Sequence, residues 1–318
     1  MSSINKNNKV LVILGPTSGG KTGLAVKLAL KFDGEVVSAD SRQVYKGMDI
    51  GTGKDLAEYV VKSKVKSQRS RVVPYHLIDV ADPKKQFDLA KYQKLAFEAI
   101  DDILSRGKLP IVAGGSGLYL QAIADSYRLS NIGENKKLRK ELEKLDAQML
   151  FKKLLKLNKK FAEKLNDSDK KNKRRLIRYI EINLSKQLSN VNCQMSIVKY
   201  DFLIIGLNWP RQILCERIYQ RLVDRLEKED LVGEIKRLHQ EGLSWKRLES
   251  FGLEYKFVSQ YLQKKMSYEE TVEKLNIAIR QFAKRQMSWF RRWERQGRKI
   301  LWLKKPDQAE KVVEKFLK

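Results

Sequence analysis

Residues 10–22 read VLVILGPTSGGKT, a short β-branched apolar run followed by eight residues that fit G-x-x-x-x-G-K-[ST] without a mismatch. The run from Val10 to Leu14 predicts a buried strand. Leu24 and Leu28, at helical spacing, predict a helix over Thr22 to Leu30. Strand, glycine loop, helix is the opening of an α/β nucleotide-type fold. Glycines in such a loop let successive backbone N–H groups converge on phosphate oxygens, and the helix N-terminus adds its positive dipole end. Lys21 places a point charge on a diphosphate, and the Thr22 hydroxyl can ligate Mg²⁺. The stretch therefore assigns Gly15, Pro16, Thr17, Ser18, Gly19, Gly20, Lys21 and Thr22 to nucleotide or diphosphate binding, against the plainer reading of a tight glycine turn.

Working outward, Glu35 to Ala39 reads as a second strand, His76 to Val80 as a third and Pro110 to Ala113 as a fourth. Helical stretches intervene, notably Leu89 to Arg106, which closes at Gly107. Alternating strands and helices predict a parallel sheet covered on both faces. The texture changes after about Ser130: residues 129–195 have hardly any strand signal and hold 18 basic against 8 acidic residues, a net of +10. Tyr200 to Leu207 then reads as another buried strand, after which the chain is helical almost to its end. The expected fold class is α/β: a P-loop NTPase-like parallel-sheet core over residues 1–128 and 196–318, an inserted basic helical domain over 129–195, and C-terminal helices packed on the core. At about 100° per residue, Ile279, Phe282, Ala283, Gln286, Phe290 and Trp293 share one face of a late helix, read as core packing. Arg280, Lys284, Arg291 and Arg295 share the other.

Composition narrows the class. Lys and Arg total 65 against 38 Asp and Glu, a formal charge of +27. That excess points to a polyanionic partner, nucleic acid first and an anionic membrane surface second, with a merely lysine-rich surface as the plain alternative. Hydrophobic residues make up 42% of the 318, enough for a genuine core. The two cysteines, Cys193 and Cys215, cannot build a disulfide framework or a four-cysteine zinc site. No apolar stretch approaches the roughly 18–20 residues of a membrane span, and the run before Gly15 is too short for a signal-peptide core. A soluble, basic, cytoplasmic protein is expected.

The second strand leads into SADSRQVYKGMDIGTGK, Ser38 to Lys54. Asp40 falls at the strand's C-terminal end, the edge where parallel α/β sheets place their ligands. A carboxylate there serves as a general base or a Mg²⁺ ligand, or it caps the following turn; spacing leaves these open. His76 reads as a hydrogen-bonded core residue, and Asp79 and Asp82 as turn formers.

GPTSGGKT, DSRQVYKGMDIGTGK, YHLIDVADP, AGGSGLYLQAI and IRQFAKRQMSWFRRW, in that order, closely resemble the tRNA dimethylallyltransferases, or tRNA isopentenyltransferases, over about Val10 to Trp293. The resemblance implies a loop that holds the diphosphate of dimethylallyl diphosphate, and N6 of adenosine-37 in the tRNA anticodon stem-loop as acceptor. It implies Asp40 as general base, with Lys21 and Ser116 also catalytic; Ser116 falls where the family usually has threonine. Arg217 looks like a family arginine near the diphosphate, or else an ordinary helix arginine. By resemblance Asp40, Ser41, Arg42, Gln43 and Ser116 flank the extruded base. Arg139 and the run Arg174, Arg175, Leu176, Ile177 and Arg178 fall at tRNA contacts, as do Ser250, Phe251, Gly252, Leu253, Glu254 and Tyr255. Two positions depart from the family pattern: Asn172 replaces an aspartate and Glu254 a glycine. The resemblance further implies Mg²⁺ as cofactor, a monomer, no membrane partner, and the bacterial type, since two isolated cysteines cannot supply a C-terminal zinc finger. The rivals are an isopentenyltransferase acting on free adenine nucleotides, a P-loop kinase or RNA-linked ATPase, and a non-catalytic RNA-binding module. The basic insertion favours tRNA over a mononucleotide, and IVAGGS offers no acidic Walker-B pair for the kinase.

Overall fold

A computed structural model describes residues 7–61, 71–127, 133–188, 200–303 and 305–318. The chain divides into two compact units, Met1–Tyr127 with Val198–Lys318, and Arg128–Ile197. The first is built on strands β1 (Lys9–Leu14), β2 (Gly34–Ser38), β3 (Val60–Val61), β4 (Arg71–Val72), β5 (Tyr75–His76), β6 (Leu109–Gly114), β7 (Asp201–Leu207) and β8 (Leu301–Leu303). Six of them form one parallel sheet in the order β5-β2-β6-β1-β7-β8. β1 runs down its middle, with Leu11 opposite Ile111 on one side and Leu203 on the other. A strand covered on both faces needs apolar side chains in both directions, and for that reason VLVIL is a continuous run.

The helices of this unit are α1 (Lys21–Phe32), α2 (Leu89–Ser105) and α3 (Gly117–Ala124) before the insertion. Helix α1 packs Leu24, Leu28 and Phe32 against Leu11, Ile13, Val36 and Ile111. On the opposite face Val10, Val12, Val37 and Val112 meet Tyr92, Ala96, Ile100 and Leu120. The third strand is shorter than the expected His76 to Val80. Leu77 and Asp79 have φ of 62° and 57°, which turns the chain out of the sheet. The β3–β4 ribbon and the edge strand β8 carry too few residues for an alternation signal.

The second unit holds α4 (Lys136–Leu142), α5 (Ala147–Leu157), α6 (Lys159–Glu163), α7 (Asp167–Lys170) and α8 (Lys173–Leu188). Asn135, Asp146, Asn158 and Asn166 each cap one of the first four through a side-chain oxygen. Asn172 Oδ1 accepts the Arg175 N–H at 3.1 Å, so the departure from aspartate keeps its capping oxygen. Leu142, Leu150, Leu154, Leu176, Ile177 and Ile180 form the unit's core.

After the insertion the first unit resumes with α9 (Arg211–Glu227), α10 (Leu231–Gln240), α11 (Trp245–Ser250), α12 (Leu253–Leu262), α13 (Tyr268–Arg295) and α14 (Ala309–Leu317). In α13, Ile279, Ala283, Gln286, Phe290 and Trp293 are buried, whereas Arg280, Lys284, Arg291 and Arg295 are exposed, as the periodicity predicts; Phe282, expected on the core face, is only partly buried and lines a cavity. Cys215 is a free thiol, and Cys193 lies outside the described residues. Among the described residues no helix is long and apolar enough to cross a membrane.

One buried charge cluster fastens the sheet to α2. Glu35, 2% exposed, accepts from Arg106 Nη2, Lys108 Nζ and His76 Nε2, each at 2.8 Å. Arg106 foremost, then Lys108 and His76, hold the Glu35 carboxyl far below its ordinary value of 4.5, against the desolvation that opposes them. A carboxyl whose folded pKa is depressed stabilises the fold above its unfolded pKa and loses that contribution as pH falls. Glu35→Gln is expected to cost about 1–3 kcal/mol at neutral pH. The gap from wild type should close as pH drops below 4.5, the ordinary carboxyl value, as read by denaturant titrations at pH 7 and pH 3.

Candidate active site

The loop from Gly15 to Thr22 leaves the carboxyl end of β1 and feeds α1. Ser18 and Gly20 take left-handed conformations, at φ 57° and 78°, and the Gly19 N–H bonds Pro16 O at 3.2 Å. From the far end of the chain, Gln286 accepts the Thr17 N–H at 2.8 Å and donates to Gly115 O at 2.9 Å. One buried amide thus ties the phosphate-type loop to the loop after β6. Lys21 Nζ donates to Pro16 O at 2.7 Å. Desolvation lowers its pKa from 10.5 to about 8, with Arg221 pulling the same way and Asp40 and Glu58 opposing.

Asp40 lies two residues beyond the end of β2. Its Oδ1 accepts the Arg42 N–H at 2.9 Å, so it does make the capping bond considered from sequence. Ser116 braces the same turn: its Oγ accepts the Ser41 N–H at 3.0 Å and its own N–H bonds Ala39 O at 3.1 Å. Gln43 is held at both ends, accepting from Ser38 Oγ and donating to Gly53 O, each at 2.8 Å.

The loop from Asp49 to Gly53 closes the site opposite. Its anchor is Glu234, 5% exposed, which accepts the N–H groups of Asp49, Ile50 and Gly51 at 2.8, 2.7 and 3.1 Å. Tyr255 donates its hydroxyl to the same carboxylate at 2.7 Å. Burial, and then the Glu234 charge, push that phenol well above its ordinary pKa, so it stays a donor. At Gly53, with φ 65°, a β-carbon would collide with the Arg221 and Arg225 guanidinium groups.

These elements enclose connected chemistry. A cavity of about 370 Å³ is lined by Asp40, Ser41, Arg42, Ser116, Leu253 and Glu254, together with Arg221, Arg225, Phe282, Arg285 and Trp289. A smaller one of about 70 Å³ is lined by Thr17, Lys21, Thr22, Asp40, Gln43, Thr52 and Arg221. A third, of about 420 Å³, covers the outer side of the loop, where Ser18 to Thr22 meet Arg217, Arg221, Asp55 and Glu58. Asp40 is common to the first two, and Arg221 lines all three.

Arg217 lies beside the phosphate-type loop, lining the outer cavity with Ser18 to Thr22 and stacking over Trp209 at 4.6 Å; Arg221, one turn further along α9, lines the inner cavities as well. Several other expected residues are buried or already paired. Tyr255 is fully buried and acts through Glu234, and Phe251 packs into the adjoining apolar cluster. Ser250 donates to Arg247 O, and Gly252 adopts φ 74° at the start of α12. In the helical unit Leu176 and Ile177 are core residues, because α8 turns that face inward. Arg139 is held by Glu181 at 2.7 Å and Glu134 at 2.6 Å; Arg178 lies 3.3 Å from Glu181, and Arg175 pairs with Asp169. Arg174 is exposed. Sequence reasoning missed Arg221, Arg225, Glu234 and Arg285, and it took Gln286 for core packing. A polar side chain within an otherwise apolar helical stripe, and arginines at 217, 221 and 225 on one helix face, were the available signals.

Residues 43–293 match the family model described as IPP transferase. The chain is 45% identical over 298 residues to a protein of Syntrophus aciditrophicus named tRNA dimethylallyltransferase 1, covering 94% of each. It is 46% identical over 309 residues to tRNA dimethylallyltransferase 2 of Treponema denticola, covering 96% of this chain and 98% of that one. Among solved structures it resembles the full-length tRNA isopentenylpyrophosphate transferase of Bacillus halodurans, at 34% identity and a TM-score of 0.65, covering 98% of this chain and 95% of the other. A eukaryotic dimethylallyltransferase solved acting on tRNA matches at 29% identity and a TM-score of 0.70, over 89% of this chain and 69% of the other. Agreement of this extent makes the chain a member of the IPP transferase family.

Proposed function

We infer that this protein is a tRNA dimethylallyltransferase, moving the dimethylallyl group of dimethylallyl diphosphate to N6 of adenosine-37 in tRNA and releasing diphosphate. The observation that carries the reading is the small cavity in which the Asp40 carboxylate faces Lys21 and Thr22. A base and a diphosphate cradle share one space, and that space adjoins a cavity large enough for an extruded nucleoside.

The chemistry follows from that pairing. The allylic C–O bond breaks as the N6–C bond forms, the electron pair leaves with the diphosphate, and the N6 proton passes to Asp40. The Thr17 backbone is fixed by Gln286, and Lys21 and Arg221 offset charge growing on the leaving group. The Arg42 N–H bond fixes the orientation of the carboxylate, and Ser116 fixes the turn that carries it. Mg²⁺ is held most often by one or two protein oxygens plus substrate phosphates. The Thr22 hydroxyl, lining the small cavity beside Lys21, fits as such a protein oxygen, which leaves Asp40 as the base. When bound, the ion would neutralise the diphosphate. The basic helical unit, through Arg174 and its neighbours, is proposed to grip the anticodon stem.

Incubation with Mg²⁺, dimethylallyl diphosphate and unmodified tRNA should yield N6-isopentenyladenosine by mass spectrometry. Product on free AMP alone, or phosphoryl transfer from ATP, would overturn the reading. Asp40→Asn keeps an oxygen for the Arg42 N–H, and is expected to lower turnover by about 10²–10⁴ with tRNA affinity nearly unchanged. Near-wild-type turnover would remove Asp40 from the base role. The Lys21 ammonium, with its pKa near 8, is charged at pH 7 and mostly neutral at pH 9. Affinity for dimethylallyl diphosphate should therefore fall about tenfold across that interval. Titration calorimetry of wild type and Lys21→Ala checks it, since the variant should show no such fall.

A further inference from the structure

Glu254 stands where the family pattern has glycine, and its carboxylate is 7% exposed. It lies 3.5 Å from Arg225 Nη1 and 3.6 Å from Arg42 Nη1. Asp55 is likewise shared: it pairs with Arg221 and lies 3.9 Å from Arg225 Nη2. Arg42, Arg221 and Arg225 thus divide Asp55 and Glu254 among them. Arg225 has a side chain only 7% exposed, and its Nε and Nη2 have no hydrogen-bond partner. Those two donors form one edge of the guanidinium fork, the edge that matches two oxygens of a phosphate. Buried donors of a charged group are seldom left unpaired without a functional reason.

Position selects the anion. Arg225 lines the larger cavity beside Asp40, Arg42 and Leu253, and it is absent from the linings of the two cavities that contain Lys21 and Thr22. An anion at Arg225 thus sits on the acceptor side of Asp40, away from the diphosphate. We propose that Arg225 forms a phosphate subsite that takes a backbone phosphate of the RNA next to the extruded adenosine, with Glu254 holding Arg225 and Arg42 in place. This deepens the function proposed above and rests on it.

The test uses the full-length protein with Mg²⁺, dimethylallyl diphosphate and unmodified tRNA, comparing wild type with Arg225→Met and Arg225→Lys. Methionine keeps most of the side-chain volume and removes the fork. Its tRNA affinity should drop about tenfold, and the slope of log affinity against log salt should flatten by about 0.7–0.9, one phosphate's worth. The KM for dimethylallyl diphosphate should stay within twofold. Arg225→Lys keeps the charge and loses the fork, so its slope should match wild type while its affinity lies between the two. That second variant also answers if Arg225→Met fails to fold. An unchanged salt slope with unchanged tRNA affinity would reduce Arg225 to an internal ion pair, and a raised KM for dimethylallyl diphosphate would move the anion to the donor side. Either result overturns the subsite alone, whereas a wild type that makes no N6-isopentenyladenosine overturns the function itself.

Discussion

The Gln286 amide is the contact on which the site depends. Its two bonds, to Thr17 N–H and Gly115 O, join loops that leave neighbouring parallel strands. Parallel strands end at the same edge, so their loops come close without touching, and each presents backbone groups with no partner of its own. A side chain carrying one donor and one acceptor satisfies both at once. Because that side chain comes from α13, the packing of the C-terminal helix and the shape of the phosphate-type loop are one constraint. Ile279, Phe290 and Trp293 bury the helix; Gln286 transmits the result to Thr17.

A similar economy governs the opposite wall. Three consecutive N–H groups of the Asp49–Gly51 loop would be stranded if nothing entered from outside the loop, and the Glu234 carboxylate collects all three. Tyr255 completes that carboxylate, and buried Lys54 ties the loop's far end to Asp49 and Asp79. The loop on this side is thus set by two buried charged groups, Glu234 and Lys54. Such groups are strong when fully paired and costly when not.

The central strands and the phosphate-type loop are legible because their signals are local: VLVIL is continuous, and GPTSGGKT is contiguous. The same holds for the apolar stripe of α13. What could not be read has a common cause. Arg221, Arg225 and Glu234 are ordinary members of polar helix faces until the fold brings them against residues some 170–190 positions away, as the Arg221–Asp55 and Asp49–Glu234 contacts show. Arg217 and Arg221 differ only by one helical turn, and which of them points inward depends on how α9 lies against α13. Tyr255, expected as a tRNA contact, is instead fully buried. Its role is filled by a hydrogen bond to a residue 21 positions earlier.

The strand order also constrains how the protein can be made. β1 emerges first from the ribosome, yet one of its two neighbours, β7, begins only at Asp201, and the amide that closes the loop arrives at position 286. Throughout synthesis of the intervening residues, one edge of the central strand has no partner and its apolar side chains have only half their cover. Long-range parallel pairing of this kind is slow and leaves the growing chain open to wrong associations. The helical unit is contiguous, from Arg128 to Ile197, and its pairings, such as Arg139 with Glu181, are available well before the sheet is complete. Vectorial synthesis therefore puts the helical unit within reach of its own structure while the sheet is still waiting for the last third of the chain.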